Sequence, residues 1–313
     1  MPTGRNASLT RRNFCSLAAT ASAATFFSRK AWSAPHAIPT GIQLYTVNAD
    51  LEKDPAATLR KIAQIGYTEV ETAGFGKLTA AQFRDLLKGA GLHAPSAHLM
   101  FGMGDTSKLL DDGKTLGVQY VVSSILLPRP LDPKGDMKGV LQTLNSMTAD
   151  DFKQVAANAN QIAQKAKAAG LQYAYHNHNF EFKSVGGGQT GYDILLRETD
   201  PSLVKFEADT GWMTVGGVDP VLYLTRHPNR FAMLHIKDFK NITKPVTALM
   251  APDAPKPTEL GRGSVDLKRI VQAGRRAGVR HMFVEQEPPF TEMTDMEAAA
   301  ADYQVLHSLV EQA

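Results

Sequence analysis

From Ile42 to the C-terminus the chain alternates two hydrophobic rhythms: short apolar runs with period two, and longer segments with apolar positions three and four apart. The short runs predict strands at Ile42–Val47, Tyr67–Thr72, His93–Leu99, Gln119–Ile125, Gln172–His178, Val204–Thr210, Phe231–Asp238 and His281–Glu287. The longer segments predict helices at 54–65, 79–90, 107–117, 149–169, 191–199, 219–227, 265–277 and 295–312. Asp54-Pro55 and Asp219-Pro220 place proline in a first helical turn, and Gly66, Gly91, Gly170 and Gly278 close helices. Strict strand–helix alternation implies parallel crossovers. Eight such units match a single-domain α/β fold, the closed (β/α)8 TIM barrel.

Two connections are long, 126–148 and 239–262; both follow a strand and carry prolines, which makes them candidate lids on the rim where barrel active sites are built. Along each strand, one phase should face the helices. It is aliphatic: Ile42/Leu44, Val70, Ala97/Leu99, Phe206/Ala208, Leu234/Ile236 and Met282/Val284. The other phase points into the barrel and is polar: Gln43/Tyr45, Glu69/Glu71, Ser96/His98, His176/His178, Glu207/Asp209, His235/Lys237 and Glu285/Glu287. Ionisable groups lining a barrel must be paired, metal-bound or wet.

Mixed imidazole and carboxylate donors suit one divalent ion, Mn, Mg, Co or Zn. Asp209 and His235 stand at strand ends before loops, where packing does not account for them, and both read as ligands. Glu285 reads the same way, with Glu287 in the same phase as a substitute. Glu207 lies about 7 Å deeper than Asp209, at roughly 3.3 Å per residue, and reads as structural. Lys237 reads either as a substrate clamp or as a buried partner of Glu207 or Glu285. Tyr45 and Trp212 read as a stacking surface for a sugar ring or as simple packing. No nucleophile elbow, dinucleotide fingerprint or P-loop is present.

The 313 residues have a formal net charge of +3, but the first 34 hold five basic side chains (Arg5, Arg11, Arg12, Arg29, Lys30) and no acid. The remainder has 29 basic against 31 acidic side chains, without the basic surplus expected of a nucleic-acid binder. The single cysteine, Cys15, lies in the same leader, so neither a disulfide framework nor thiol catalysis is available downstream. Arg11-Arg12-Asn13-Phe14, a small-residue apolar run and Trp32-Ser33-Ala34 predict a twin-arginine signal. Residues 1–37 then form the signal segment and linker, and 38–313 the barrel. The expected location is periplasmic or secreted, with the twin-arginine export machinery as a partner. No apolar stretch is long enough for a membrane span.

The segments GIQLYTV (41–47), YTEVETAGF (67–75), SAH (96–98), YHNHNFEF (175–182), GYDILLRETDP (191–201), FEADTGW (206–212), LHIKDF (234–239), ELGRGSVD (259–266) and FVEQE (283–287) resemble the xylose isomerase-like TIM-barrel superfamily. They look most like its sugar phosphate isomerase/epimerase branch. The resemblance implies one divalent ion with ligands from the ends of the fifth to eighth strands. Carried over by position, these are Asp209, His235 and Glu285, with His176 as the fifth-strand ligand. There the sequence departs from the ketose 3-epimerases, which have Glu at that place; His178 and Glu181 lie nearby.

In those epimerases two ligand glutamates face opposite sides of the sugar, one removing and one returning a proton. With His at the fifth strand one of the pair is missing. Glu71, His98 or Lys237 then substitutes, or the reaction is not a symmetrical epimerisation. The leading expectation is a metal-dependent isomerase or epimerase of a small non-phosphorylated carbohydrate or keto-sugar. Glu285 or Glu71 serves as base, and His98 and Lys237 orient or protonate oxygens. Tyr45, His178, Trp212 and Glu287 contact the substrate. A 3-keto-glycoside lyase or hydrolase, or a keto-sugar dehydratase, follows closely. Behind these stand a non-catalytic periplasmic sugar-binding protein and, against the charge balance, a DNA-repair endonuclease of the same fold.

Overall fold

A computed structural model describes residues 38–130 and 136–313. The predicted leader, with its twin-arginine signal, lies outside the described residues. Eight parallel strands close into a barrel: β1 (Thr40–Gln43), β2 (Glu69–Thr72), β3 (His93–His98), β4 (Tyr120–Ser123), β5 (Gln172–His176), β6 (Val204–Asp209), β7 (Phe231–Ile236) and, last in the chain, His281–Val284. Between them a two-residue antiparallel pair, β8 (Asp238–Phe239) with β9 (Pro257–Thr258), buttresses the rim, so the closing barrel strand is β10. β10 pairs with β1 and β7 and completes the ring.

The helices form where local chemistry supports them. Thr79, Thr148, Thr190 and Thr294 each accept a hydrogen bond from the backbone three residues on, while the side chains of Gln82, Asp151, Asp193 and Glu297 accept one from the amide of the cap residue. Gly91 and Gly117 end their helices at φ 74° and 87°, where a side chain is strained. The helix-facing phase forms one continuous core with the helices, including Ile42, Val70, Ala97, Phe206, Leu234 and Val284.

The barrel interior is two-tiered. Its lower part is a separate apolar plug of Tyr120, Val122, Ala174, Ala232, Met233 and Phe283. Above the plug the same inward phase becomes polar, so the ionisable side chains occupy the C-terminal half. Glu69 is the exception: it meets His281 at 2.8 Å near the strand starts, away from the mouth.

Several boundaries depart from expectation. The first strand stops at Gln43, and Leu44–Val47 form a 3-10 turn because the Gln43 side chain accepts from the Tyr45 amide. Tyr45 therefore leaves the strand register and stands 43% exposed. The sixth strand ends at Asp209, whose side chain caps a short helix, Thr210–Val215. Within the expected 126–148 loop, Met137–Ser146 is a helix capped by Asp136. Asn145 on that helix donates to the Leu249 carbonyl and accepts from its amide, stitching the two long rim segments together.

Candidate metal centre

One ligand atom from each of His176, Asp209, His235 and Glu285 lies within 4.8 Å of the others. They lie at or beside the C-terminal ends of β5, β6, β7 and β10, and all four side chains are buried. Closure of the barrel does the assembling. Four strands whose sequence positions span more than a hundred residues point the same phase at one axis.

Asp209 divides its two oxygens between structure and site. Its Oδ1 accepts the Trp212 amide at 2.7 Å as a helix cap. Its Oδ2 has Lys237 Nζ at 3.1 Å as an ion-pair neighbour but no well-directed hydrogen bond, and it is fully buried. Burial pushes Asp209 up to about 6, against the pull of Lys237. Glu285 Oε2 lies 3.0 Å from His235 Nδ1 and 2.7 Å from Lys237 Nζ. Burial works against that charge, but Lys237 and His235 outweigh it and hold Glu285 well below the usual carboxylate range.

Lys237 is wholly buried, its ammonium placed between Asp209, Glu285 and Glu287, the last at 2.5 Å. Burial disfavours its charge, yet the three carboxylates keep it raised well above the ordinary lysine value. Glu287 also accepts from Trp212 Nε1 at 3.1 Å and is the most accessible of these carboxylates, with 27% of its side chain exposed. Trp212 is buried and packs on Phe239, while Tyr45 stands at the rim. His178 has its ring 6.4 Å from that of Trp212, and burial pushes it down to about 4, so it is neutral.

A second set lies immediately below. Glu207 Oε2 is 2.7 Å from His98 Nε2 and 3.0 Å from His176 Nδ1. Glu71 is fully buried and takes hydrogen bonds from Gln43 Nε2 at 2.8 Å and Ser96 Oγ at 2.5 Å, with His235 Nε2 at 2.6 Å. Burial opposes charge on His98, but Glu71 and Glu207 beside it push the ring up to about 10. Glu181, named as another fifth-strand donor, is instead occupied by the Tyr175 hydroxyl and the His178 amide. Its carboxyl pins the turn after β5.

The model of the xylose isomerase-like TIM barrel matches residues 59–307. The chain belongs to this family. A sugar phosphate isomerase/epimerase structure from Parabacteroides distasonis is 27% identical, with TM-score 0.68, covering 86% of this chain and 98% of that one. An inosose dehydratase from Clostridium tetani is 30% identical over 132 residues, 39% of this chain and 42% of the relative. Another, from Geobacillus thermodenitrificans, is 29% identical over 168 residues, 50% of this chain and 54% of the relative. The chain thus spans about half the length of these two curated relatives. Among the described residues no helix is long and apolar enough to cross a membrane.

The site residues missed by phase reading are those that hold the ligands. Gln43 and Ser96 were visible as inward and polar, but nothing in the sequence said that both would grip Glu71. Asp238 was read only as the last residue of the seventh predicted strand. It is 1% exposed and accepts four backbone amides, from Phe239, Gly261, Gly263 and Val265, and so closes the rim loop after β9.

Proposed function

We propose that this protein is a divalent-metal-dependent enzyme that removes the proton beside a carbonyl of a non-phosphorylated keto-sugar or keto-glycoside and expels the oxygen substituent one carbon further on. The observation that carries this reading is an asymmetry across the mouth. Glu285 and Glu287 come from the β10 side, whereas three strands away in either direction stand His98 and His176. A two-carboxylate epimerase has a proton acceptor on both faces; this site has an acceptor on one and imidazole on the other.

The donor set fits a cation. Four ligands converge, and the fully buried Asp209 Oδ2 lacks a hydrogen bond. His176, Asp209, His235 and Glu285 would hold it. Two nitrogens with two carboxylates favour Zn, Co or Mn over Mg, which prefers an all-oxygen shell. When bound, such an ion acidifies the carbon next to a chelated carbonyl and stabilises the charge that develops on its oxygen.

The chain's own groups divide the remaining work. Glu285, with Oε2 held by Lys237 on the side of the candidate ion, would offer Oε1 to the substrate proton. As the carbon–hydrogen bond breaks, its electron pair forms the new double bond and the carbon–oxygen bond opposite is released. His98 has Nε2 engaged by Glu207, leaving Nδ1 to protonate the departing oxygen. Glu71 and Glu207 beside the ring favour the protonated form that this role needs. Lys237 steadies the carboxylates and presents positive charge to substrate oxygens, and Glu287, Trp212, His178 and Tyr45 flank the entrance. The leader motif adds an exported, periplasmic or secreted, setting, in which free or glycosidic sugars are more plausible substrates than sugar phosphates.

Isomerisation or epimerisation at the same carbon is the second reading. The Parabacteroides structures carry that description, and proton return from Lys237 or His98 in place of elimination would produce it. Incubation of metal-loaded protein in D2O with ketoses, aldoses and 3-keto-glycosides separates the two. Release of water or an aglycone supports elimination. Deuterium uptake with the carbon–oxygen bonds intact supports isomerase chemistry, and neither event on any substrate refutes both.

A further inference from the structure

We propose that Glu71 and Glu207 are positioning residues. They form a carboxylate tier beneath the candidate ion and determine which nitrogen each histidine turns upward, Nδ1 for His235 and Nε2 for His176. The inference rests on the cation reading and goes beyond it.

A neutral imidazole has one N–H and one lone pair, and nothing in the ring itself decides which nitrogen faces a ligand. A hydrogen-bond acceptor on the far side decides it, fixing both tautomer and ring angle. In most proteins a backbone carbonyl can do this. Inside this barrel the acceptors that face the inward rings of His176 and His235 are carboxylate side chains.

The structure supplies two such acceptors at the required depth. His235 Nδ1 faces Glu285 Oε2 at 3.0 Å, and on the opposite edge of the ring Nε2 faces Glu71 Oε2 at 2.6 Å and Glu207 Oε2 at 3.3 Å. His176 Nδ1 faces Glu207 Oε2 at 3.0 Å, which leaves Nε2 for the ion. Glu71 is itself held rigidly by Gln43 and Ser96, and neither glutamate has solvent-accessible surface.

The proposed tier is incompatible with a second use of the same residues. His98, His176, Glu207 and His235 are also close enough to hold a metal ion, and two of them belong to the upper group as well. If the lower nitrogens carry protons donated to Glu71 and Glu207, they cannot bind a second cation. The tier therefore requires one ion per chain.

Competition titration of Zn2+ and Co2+ against a chromophoric chelator, on full-length folded protein, tests this without recourse to activity. The parent chain should bind one ion. Glu71→Gln and Glu207→Gln, which keep an acceptor oxygen but lose its charge, should bind one ion about tenfold more weakly, and Glu71→Ala toward 100-fold more weakly, the span over which ligand-orienting partners act. Ser96→Ala frees Glu71 without altering any charge and should weaken binding a few-fold; it supplies the answer if the glutamate variants do not fold. The absorption bands of the Co2+ form should shift in the Glu71 and Glu207 variants as the rings reorient. Parental affinity in the variants, or two ions in the parent, overturns the tier while leaving a cation site standing. No ion in the parent overturns both.

Discussion

Asp209 and Lys237 form a wholly buried ion pair, Oδ2 to Nζ 3.1 Å, at the mouth ends of neighbouring chain segments. Lys237 is the residue that lets Asp209, Glu285 and Glu287 share one water-poor site. Its removal strands three carboxylates. Lys237→Met should lower folding stability by about 3–5 kcal/mol, the cost of leaving a buried partner unpaired. Saturating divalent ion should return part of the loss. Denaturant titration with and without metal reads both; unchanged stability contradicts the pairing.

His98→Asn should reduce kcat by about 10²- to 10⁴-fold for substrates with a poor alkoxide leaving group, the usual worth of a general acid. For a nitrophenyl 3-keto-glycoside, whose leaving group departs without protonation, the loss should be far smaller. An equal loss for both substrates would remove His98 from the acid role.

Asp302 is buried beside Glu259 and Asp238 and accepts the Leu260 amide at 2.7 Å. Burial pushes it up to about 7 from an ordinary value of 3.8. A carboxyl whose folded pKa is raised binds its proton more tightly in the native state, so stability falls as pH rises from about 4 to about 7 and then levels. Asp302→Asn should flatten this fall, gaining on the parent across that window. Melting temperatures from pH 4 to 8 check it; parallel curves would contradict it.

Asp238→Ala should leave four buried or half-buried amides without their acceptor, at about 1–3 kcal/mol for each that water cannot reach. Limited proteolysis should then cut within 259–265 before the barrel unfolds. Gly263→Ala should act in the same direction, because a Cβ there would stand 2.1 Å from Asp238 Oδ1. Parental protease resistance in both variants would show that Asp238 does not hold this loop.

The barrel was legible because a parallel strand covered by helices on one side and closed on itself on the other separates its two phases cleanly. Val70, Phe206 and Val284 face the helices, and Glu71, Glu207 and Glu285 face the axis. What stayed hidden depends on side-chain contacts between distant strands. Period two gives no depth, so the apolar plug of Met233 and Phe283 and the low-lying Glu69–His281 pair could not be told from the mouth. Strand ends were overrun wherever a side chain captures a nearby amide, as Gln43 does for Tyr45 and Asp209 for Trp212. The helix Met137–Ser146 was masked by the prolines ahead of it, although Asp136 is a good cap.

Elemental analysis of the purified protein before and after chelation bears most directly on the central claim. The account predicts one Zn, Co or Mn per folded chain, loss of turnover when it is stripped, recovery when it is returned, and neither ion nor turnover in Asp209→Ala or His235→Ala. Full turnover by metal-free protein, or by either variant, would contradict it.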